Sequence, residues 1–335
     1  MTLTPQQSAK LCARIARGSD ILATALLDYR DGVLAMTATD YSATIRCESA
    51  ADGGDTPWQL CVSAAALRDV LAVLDAPALR PEGNGGLRVE QGRIVYRLTG
   101  MPAAEYPGVD VAHVPADAPA LPDLSPVAVA MSSDESRPAL GGVCISPGHA
   151  VATDGHRLHV IDCEGIAEPV IVHRAGIEML SALDGPLRYA MDGRHVGIAG
   201  DGCTLTIRRI DEAFPSWQRV VPTPDGEGLD VSVAELADAV RRVAVLSAGK
   251  HRLIRCSIAD GEMRLSCDDA ERGGGVVVLD VGPCAPCELG FAPRYMLDAL
   301  AAMDVERCRL HMSDQFAPIL LAGERVRCVV MPMRL

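Results

Sequence analysis

Aromatic residues are scarce, at 3% of 335 positions against 49% for all apolar residues together. The cores must therefore be built from Leu, Val, Ile, Ala and Met. No apolar run approaches the roughly 20 residues that a membrane-crossing helix needs, so no membrane association is expected. The opening stretch MTLTPQQSAK has no apolar segment behind a basic start, so secretion is not expected and a cytoplasmic location is. Positive charge is in short supply too: 31 Lys and Arg stand against 44 Asp and Glu, a net charge of −13. That balance argues against non-specific nucleic-acid binding by the whole surface, though not by a local basic face. Catalytic signatures are missing as well: there is no nucleophile elbow, HExxH, P-loop or GxGxxG. The lone CxxC, Cys284-Ala285-Pro286-Cys287, has no second Cys or His pair at ligand spacing, so no metal site and no cofactor are expected. The other cysteines mostly sit in strand-like contexts such as Val143-Cys144-Ile145. They are expected to be small buried apolar residues in a reducing compartment.

What is present is an internal repeat. A strand ending in a small polar residue and Asp occurs at Thr37-Ala38-Thr39-Asp40, Val151-Ala152-Thr153-Asp154 and Leu265-Ser266-Cys267-Asp268. The three aspartates are spaced 114 positions apart, which points to three tandem copies of one unit. An amphipathic helix follows each strand, over 63–75, 173–184 and 292–304. In the first, Leu67, Val70, Leu71 and Leu74 recur at i, i+3, i+4, i+7 on one face. Alternating strands then run to a proline: 87–98 to Pro102 and Pro107, 204–207 to Pro215, and 319–330 to Pro332. Leading helices are predicted over 5–17 and 233–246. The counterpart in the second copy, near 122–138, holds three prolines and no helical stripe, so that helix is predicted to be shortened or lost. The fold class is therefore α+β in three copies, with boundaries at 1–110, 111–222 and 223–335.

Two clusters invite a chemical reading. In Thr153-Asp154-Gly155-His156-Arg157, Asp154 and His156 share a strand face and could act as an acid–base pair, with nearby thiols or a metal completing a hydrolase. Because Asp154 recurs in every copy, a turn residue accepting local backbone hydrogen bonds is the favoured reading. In the first helix Lys10, Arg14 and Arg17 fall at i, i+4, i+7 with no acidic residue from 5 to 17. Such a stripe is either a solvated face or a sequence-independent phosphate contact. The final residues, CVVMPMRL, are apolar and rich in adaptable Met.

Several of these segments together resemble the bacterial DNA polymerase III beta subunit family of sliding clamps. They are Ala152-Thr153-Asp154-Gly155-His156-Arg157-Leu158, Met101-Pro102-Ala103-Ala104-Glu105-Tyr106-Pro107, Phe214-Pro215-Ser216-Trp217-Gln218-Arg219-Val220-Val221-Pro222 and Val329-Val330-Met331-Pro332-Met333-Arg334-Leu335. The resemblance spans all three copies. It implies a non-catalytic processivity factor, a head-to-tail homodimer whose six domains close around duplex DNA with helices inside and antiparallel sheets outside. It implies partners too: duplex DNA without sequence preference, the DNA polymerase III alpha subunit, a clamp loader and other proteins carrying a short clamp-binding motif.

Carried over by position, the partner groove would use Leu140, Thr153, Gly155, His156, Arg157, Leu158, Pro215, Arg219, Val220 and Tyr295, with Val329, Val330, Met331, Pro332, Met333, Arg334 and Leu335. His251 stands where a larger apolar side chain is usual and would alter motif preference. The ring interface would use Tyr96 and Leu98 on one side and Val245 and Leu246 on the other. DNA contacts would come from Lys10, Arg14 and Arg17, with Arg137 and Arg174 in the second copy, where the shortened helix weakens the expectation. The alternative that the shortened helix suggests is a clamp-derived accessory that binds motif peptides without encircling DNA.

Overall fold

Helix α1 (Pro5–Ile15) shows how local chemistry fixes an element. Thr4 caps it, and Thr4 and Gln7 exchange side-chain and backbone hydrogen bonds in a capping box. Pro5 sits in the first turn, where its missing N–H costs nothing. Its inner face buries Ala9, Leu11, Cys12 and Ile15. Lys10, Arg14 and Arg17 are exposed, as the stripe predicts. The computed structural model describes residues 3–18, 20–83, 85–164, 168–183, 185–223, 226–246, 253–269, 272–283 and 285–335. His251 lies outside the described residues.

The order of elements repeats three times along the chain. First come α1, β1 (Thr24–Arg30), β2 (Val33–Thr39), β3 (Ala43–Ala50), β4 (Trp58–Ser63), α2 (Ala64–Leu71), β5 (Ala78–Pro81), β6 (Leu87–Gln91), β7 (Ile94–Leu98) and β8 (Gly100–Pro102). Next come α3 (Ser125–Ala128), β9 (Gly142–Ser146), β10 (His149–Thr153), β11 (Arg157–Asp162), β12 (Val170–His173), α4 (Arg174–Leu180), β13 (Arg188–Met191), β14 (His195–Gly200) and β15 (Cys203–Ile210). Last come β16 (Leu229–Ser232), α5 (Val233–Ala244), β17 (Ile254–Ala259), β18 (Glu262–Asp269), β19 (Gly273–Asp280), β20 (Cys287–Phe291), α6 (Pro293–Ala301), β21 (Arg307–His311), β22 (Ile319–Ala322) and β23 (Val326–Val330). The predicted helices thus form, trimmed at their ends. The leading helix of the second run is reduced to the 4 residues of α3, because Pro122, Pro126 and Pro138 punctuate the segment.

The residues gather into two compact units that cut across these runs: Met1–Leu121 with Val172–Arg209, and Pro122–Ile171 with Ile210–Leu335. In the first, strands pair in the order β13-β14-β15-β3-β2-β1-β4-β8, and β5-β6-β7 form a small sheet. The second contains β16-β21-β22-β23-β11-β10-β9 and a separate sheet β19-β18-β17-β20. The strand ladders within both units are antiparallel. Among the described residues no helix is long and apolar enough to cross a membrane.

Each unit has a seam where a late strand joins an early one, β15 on β3 and β23 on β11. At the first seam Cys47 and Cys203 stand directly opposite, Cα atoms 4.2 Å apart, and are joined as a disulfide. This corrects the expectation of free thiols for these two residues: the register of strands 156 positions apart brings them together. Most of the other described cysteines are buried.

Candidate functional site

The second unit holds an apolar groove built on the β11–β23 seam. Its floor is Leu158, Val329 and Trp217, which belong to the core with Cys144, Val151, Val160, Ile171 and Leu320. Leu140, Pro215 and Val220 wall it; Thr153, Gly155, Arg157 and Met331 complete it. The cavity measures about 180 Å3. Val220 is 43% exposed while Leu140, at 8%, is as covered as the floor, so the groove opens to solvent on the Val220 and Pro215 side. Such a shape suits a small apolar side chain presented by a peptide.

A tight turn sets the rim. Asp154 Oδ1 accepts from the backbone N–H of His156 (2.9 Å) and Arg157 (3.0 Å). Thr153 Oγ1 accepts from Gly155 N (3.1 Å) and donates to Arg157 O (2.6 Å). Gly155 carries φ +90°, a conformation that costs glycine little. Asp154 is thus held as a turn acceptor, the structural of the two readings weighed for it.

Arg157 is 4% exposed and holds the site together. Its Nε donates to Asp154 Oδ2 at 3.1 Å, Nη1 to Asp298 on α6, and Nη2 to the Val129 carbonyl just beyond α3. The Tyr295 ring lies 4.8 Å from its guanidinium carbon, a cation–π contact. His156 stacks on the same ring, centroids 6.1 Å apart. The rigid planar fork of donors serves the three hydrogen-bond partners, and the flat face of the guanidinium serves the ring.

Behind it lies His159, 0% exposed. One ring nitrogen meets the Pro126 carbonyl at 2.8 Å, while Nε2 has no partner among the described residues. Burial pushes its pKa down from 6.5 to about 4, and the cation of Arg157 adds to the effect. The folded chain therefore keeps His159 neutral where the unfolded chain would bind a proton. Stability from this group is complete above pH 6.5 and is lost as pH falls from 6.5 to 4. The loss is expected to reach at most about 3 kcal/mol. Urea midpoints across that window should fall more steeply for the native chain than for His159→Gln; parallel profiles would refute the assignment.

Of the groove residues named from the sequence, Leu140, Thr153, Gly155, Arg157, Leu158, Pro215, Val220, Val329 and Met331 line one cavity. His156 and Tyr295 stack beside it. Arg219 sits in the 3-10 turn Trp217–Arg219 with its side chain exposed. The tail divides. Val330 is buried in β23, and Met331 N donates to His156 O at 2.9 Å. Pro332 carries the chain onward, and Met333 N donates to Gly290 O on β20 at 2.8 Å. Leu335 packs beside Gly290, next to the exposed Arg334. Trp217 is a site residue that the resemblance did not assign; its 7% exposure and contact with the cavity make it the floor. The available signal was that it is one of only two Trp in an aromatic-poor chain.

Arg137 lies at the rim of the same cavity, its Nη1 close to Gly155 and its Nε 3.6 Å from Asp134. Arg174 opens α4, 3.9 Å from Glu178. Tyr96 and Leu98 lie on β7, the edge of its small sheet. Val245 and Leu246 follow α5, with Leu246 3.6 Å from the Cβ position of Gly275 on β19, another edge strand. Among the described residues no three His, Cys, Asp or Glu side chains gather to hold a metal. Burial pushes the Cys144 thiol up to about 11 and those of Cys12 and Cys256 up to about 12, so these thiols are poor nucleophiles near neutral pH.

Residues 218–334 match the model of the DNA polymerase III beta subunit, C-terminal domain. The chain is 30% identical to the beta sliding clamp of Escherichia coli K12 over 339 aligned positions, covering 94% of this chain and 92% of the relative. It is 29% identical to that of Salmonella typhimurium over the same shares. A crystal structure of a sliding clamp from Pseudomonas aeruginosa bound to griselimycin matches with TM-score 0.89 and 26% identity, covering 98% of this chain and 97% of the other. One from Caulobacter crescentus matches with TM-score 0.87 and 25% identity over 98% and 97%. With the repeated architecture and near-complete coverage in both comparisons, the chain belongs to the beta sliding clamp family, the beta subunit of DNA polymerase III.

Proposed function

We infer that the protein is a DNA sliding clamp: a non-catalytic ring of two chains that encircles duplex DNA and tethers the replicative polymerase and other replication proteins. The three copies are the domains 1–110, 111–222 and 223–335. The observation that carries the reading is the groove, apolar, open and built from nine residues assigned to a partner site. Partners dock there through short motifs, with an apolar anchor over Trp217 and backbone contacts from the tail. Removing residues 331–335 is expected to abolish binding of a clamp-motif peptide while solution mass still reports two chains. Unchanged affinity on titration would refute the site.

Ring formation is supported by two exposed apolar edges. On β7, Ile94 is 49% exposed, Val95 39% and Tyr96 37%; on β19, Val276 is 52% exposed and Val278 43%. Unpaired edge strands of this kind template pairing with another chain. A different edge on each side makes a heterologous contact, which closes into a ring where the rotation permits.

DNA contact is assigned to Lys10, Arg14 and Arg17, with Arg174 beside them in sequence role and Arg137 shared with the groove rim. Replacing Lys10, Arg14 and Arg17 together should flatten the salt dependence of DNA binding, each lost phosphate contact lowering the log–log slope by roughly 0.9. An unchanged slope would move the DNA face elsewhere. The one-turn α3 favours a second reading, an accessory that binds peptides without encircling DNA. Loading by a clamp loader onto nicked circular DNA separates the two.

A further inference from the structure

The backbone frame of the groove occurs a second time, in the first unit. At one seam Arg157 pairs with Val330 and Leu158 with Val329; at the other Ala43 pairs with Ile207 and Thr44 with Thr206. Met331 N donates to His156 O, and Arg208 N donates to Ser42 O, each at 2.9 Å. Asp40 Oδ1 accepts from the N–H of Ser42 (2.9 Å) and Ala43 (2.8 Å), as Asp154 does two and three residues ahead. Thr39 Oγ1 accepts from Tyr41 N at 3.1 Å, as Thr153 does from Gly155. Position by position, Tyr41 replaces Gly155, Thr44 replaces Leu158, Thr206 replaces Val329 and Arg208 replaces Met331.

A cavity of about 160 Å3 opens at the equivalent place. Its chemistry is inverted. Two hydroxyls and a cation stand where the first groove has Leu, Val and Met. Arg208 is exposed and its guanidinium has no ion pair among the described residues. His195 faces it in register on β14. Tyr41 is 62% exposed and holds φ +67°, uncommon for a bulky residue. Side chains held in such conformations gather at ligand sites.

We propose that this second groove binds a short acidic peptide segment, one carboxylate taken by Arg208 and a neighbouring apolar side chain laid on Tyr41. The proposal rests on reading the first groove as a peptide site, since the shared frame carries over the extended ligand while the side chains change its anchor. A carboxylate suits the planar donor fork of arginine. A nucleic-acid strand does not fit: it needs several cations along its backbone, and the cavity offers one, with Asp110 on its wall.

The test uses the full chain and a fluorescein-labelled Glu-Asp-Leu-Glu peptide. Saturable binding is expected to the native protein and equally to the protein lacking residues 331–335. Arg208→Ala should weaken it about tenfold or more, the effect of losing one charge-assisted hydrogen bond. Tyr41→Gly should weaken it too, and folding is safe there because glycine accepts the positive φ. Binding lost on deletion of 331–335 would place the probe in the first groove and overturn the proposal. So would no binding, indifference to both substitutions, or full displacement by equimolar inorganic phosphate. A clamp-motif peptide titrated in parallel should ignore Arg208→Ala, so failure of either groove is seen separately.

Discussion

Replacing Arg157 with alanine is expected to lower unfolding free energy by about 3–5 kcal/mol and to abolish peptide binding at the first groove. The reason lies in what the guanidinium leaves behind. Asp154 and Asp298, with side chains 16% and 31% exposed, both lose their cation, and the Val129 carbonyl loses a donor. Breaking a buried pair by removing one partner costs more than the pair contributed, because the remaining charge stays poorly solvated. Asp298 keeps a weak contact with Arg294 at 3.8 Å and is a third exposed, which places the effect toward the lower end. The groove suffers because Arg157 ties β11 to α6 and to the turn after α3, so its loss frees the rim on two sides. Arg157→Lys should recover charge but little affinity, since an ammonium cannot reproduce three diverging in-plane hydrogen bonds together with a flat face on the ring. Adding Asp298→Asn to Arg157→Ala should restore part of the stability. A urea midpoint of Arg157→Ala within error of the native protein would show that the network carries no weight.

The frame of the molecule was legible because its signals are local and repeated. The 114-residue spacing, the helical faces and the prolines that stop α3 all reside in contiguous sequence. In the third copy the carboxylate that closes the turn is Asp269, which accepts from Arg272 N at 2.9 Å, because β18 runs through Asp268, paired with Gly274. Equal spacing located the strand but not its last residue. The Cys47–Cys203 link and the seams were not legible, since they join strands more than 150 positions apart and nothing local encodes that pairing. The groove residues came from resemblance rather than pattern. Trp217 escaped because, read along the chain, it sits between polar Ser216 and Gln218, and only the fold shows its ring buried edge-on to His149, 5.4 Å away.

Carboxylates placed on β7 should dissolve the ring and with it all retention on DNA. In Ile94→Asp/Tyr96→Asp, two side chains that the two-chain ring would bury become charges facing an apolar edge. Lost burial of an Ile and a Tyr removes about 2 kcal/mol each, and the desolvated carboxylates oppose association further, so the dimer constant should weaken by about a thousandfold or more. The fold should survive, because both residues are more than a third exposed in the single chain. Native protein loaded on nicked circular plasmid is expected to co-elute with it through gel filtration and to be released when the plasmid is cut, since a closed ring leaves only by an end. That behaviour needs no strong base contact, which agrees with a −13 chain whose basic stripe of Lys10, Arg14 and Arg17 is confined to α1 and the residues just after it. The substituted protein should sediment as one chain and leave circular and linear DNA alike. Equal retention of the native protein on both forms would mean that attachment is chemical rather than topological. Persistence of the dimer in the substituted protein would place the interface on strands other than β7.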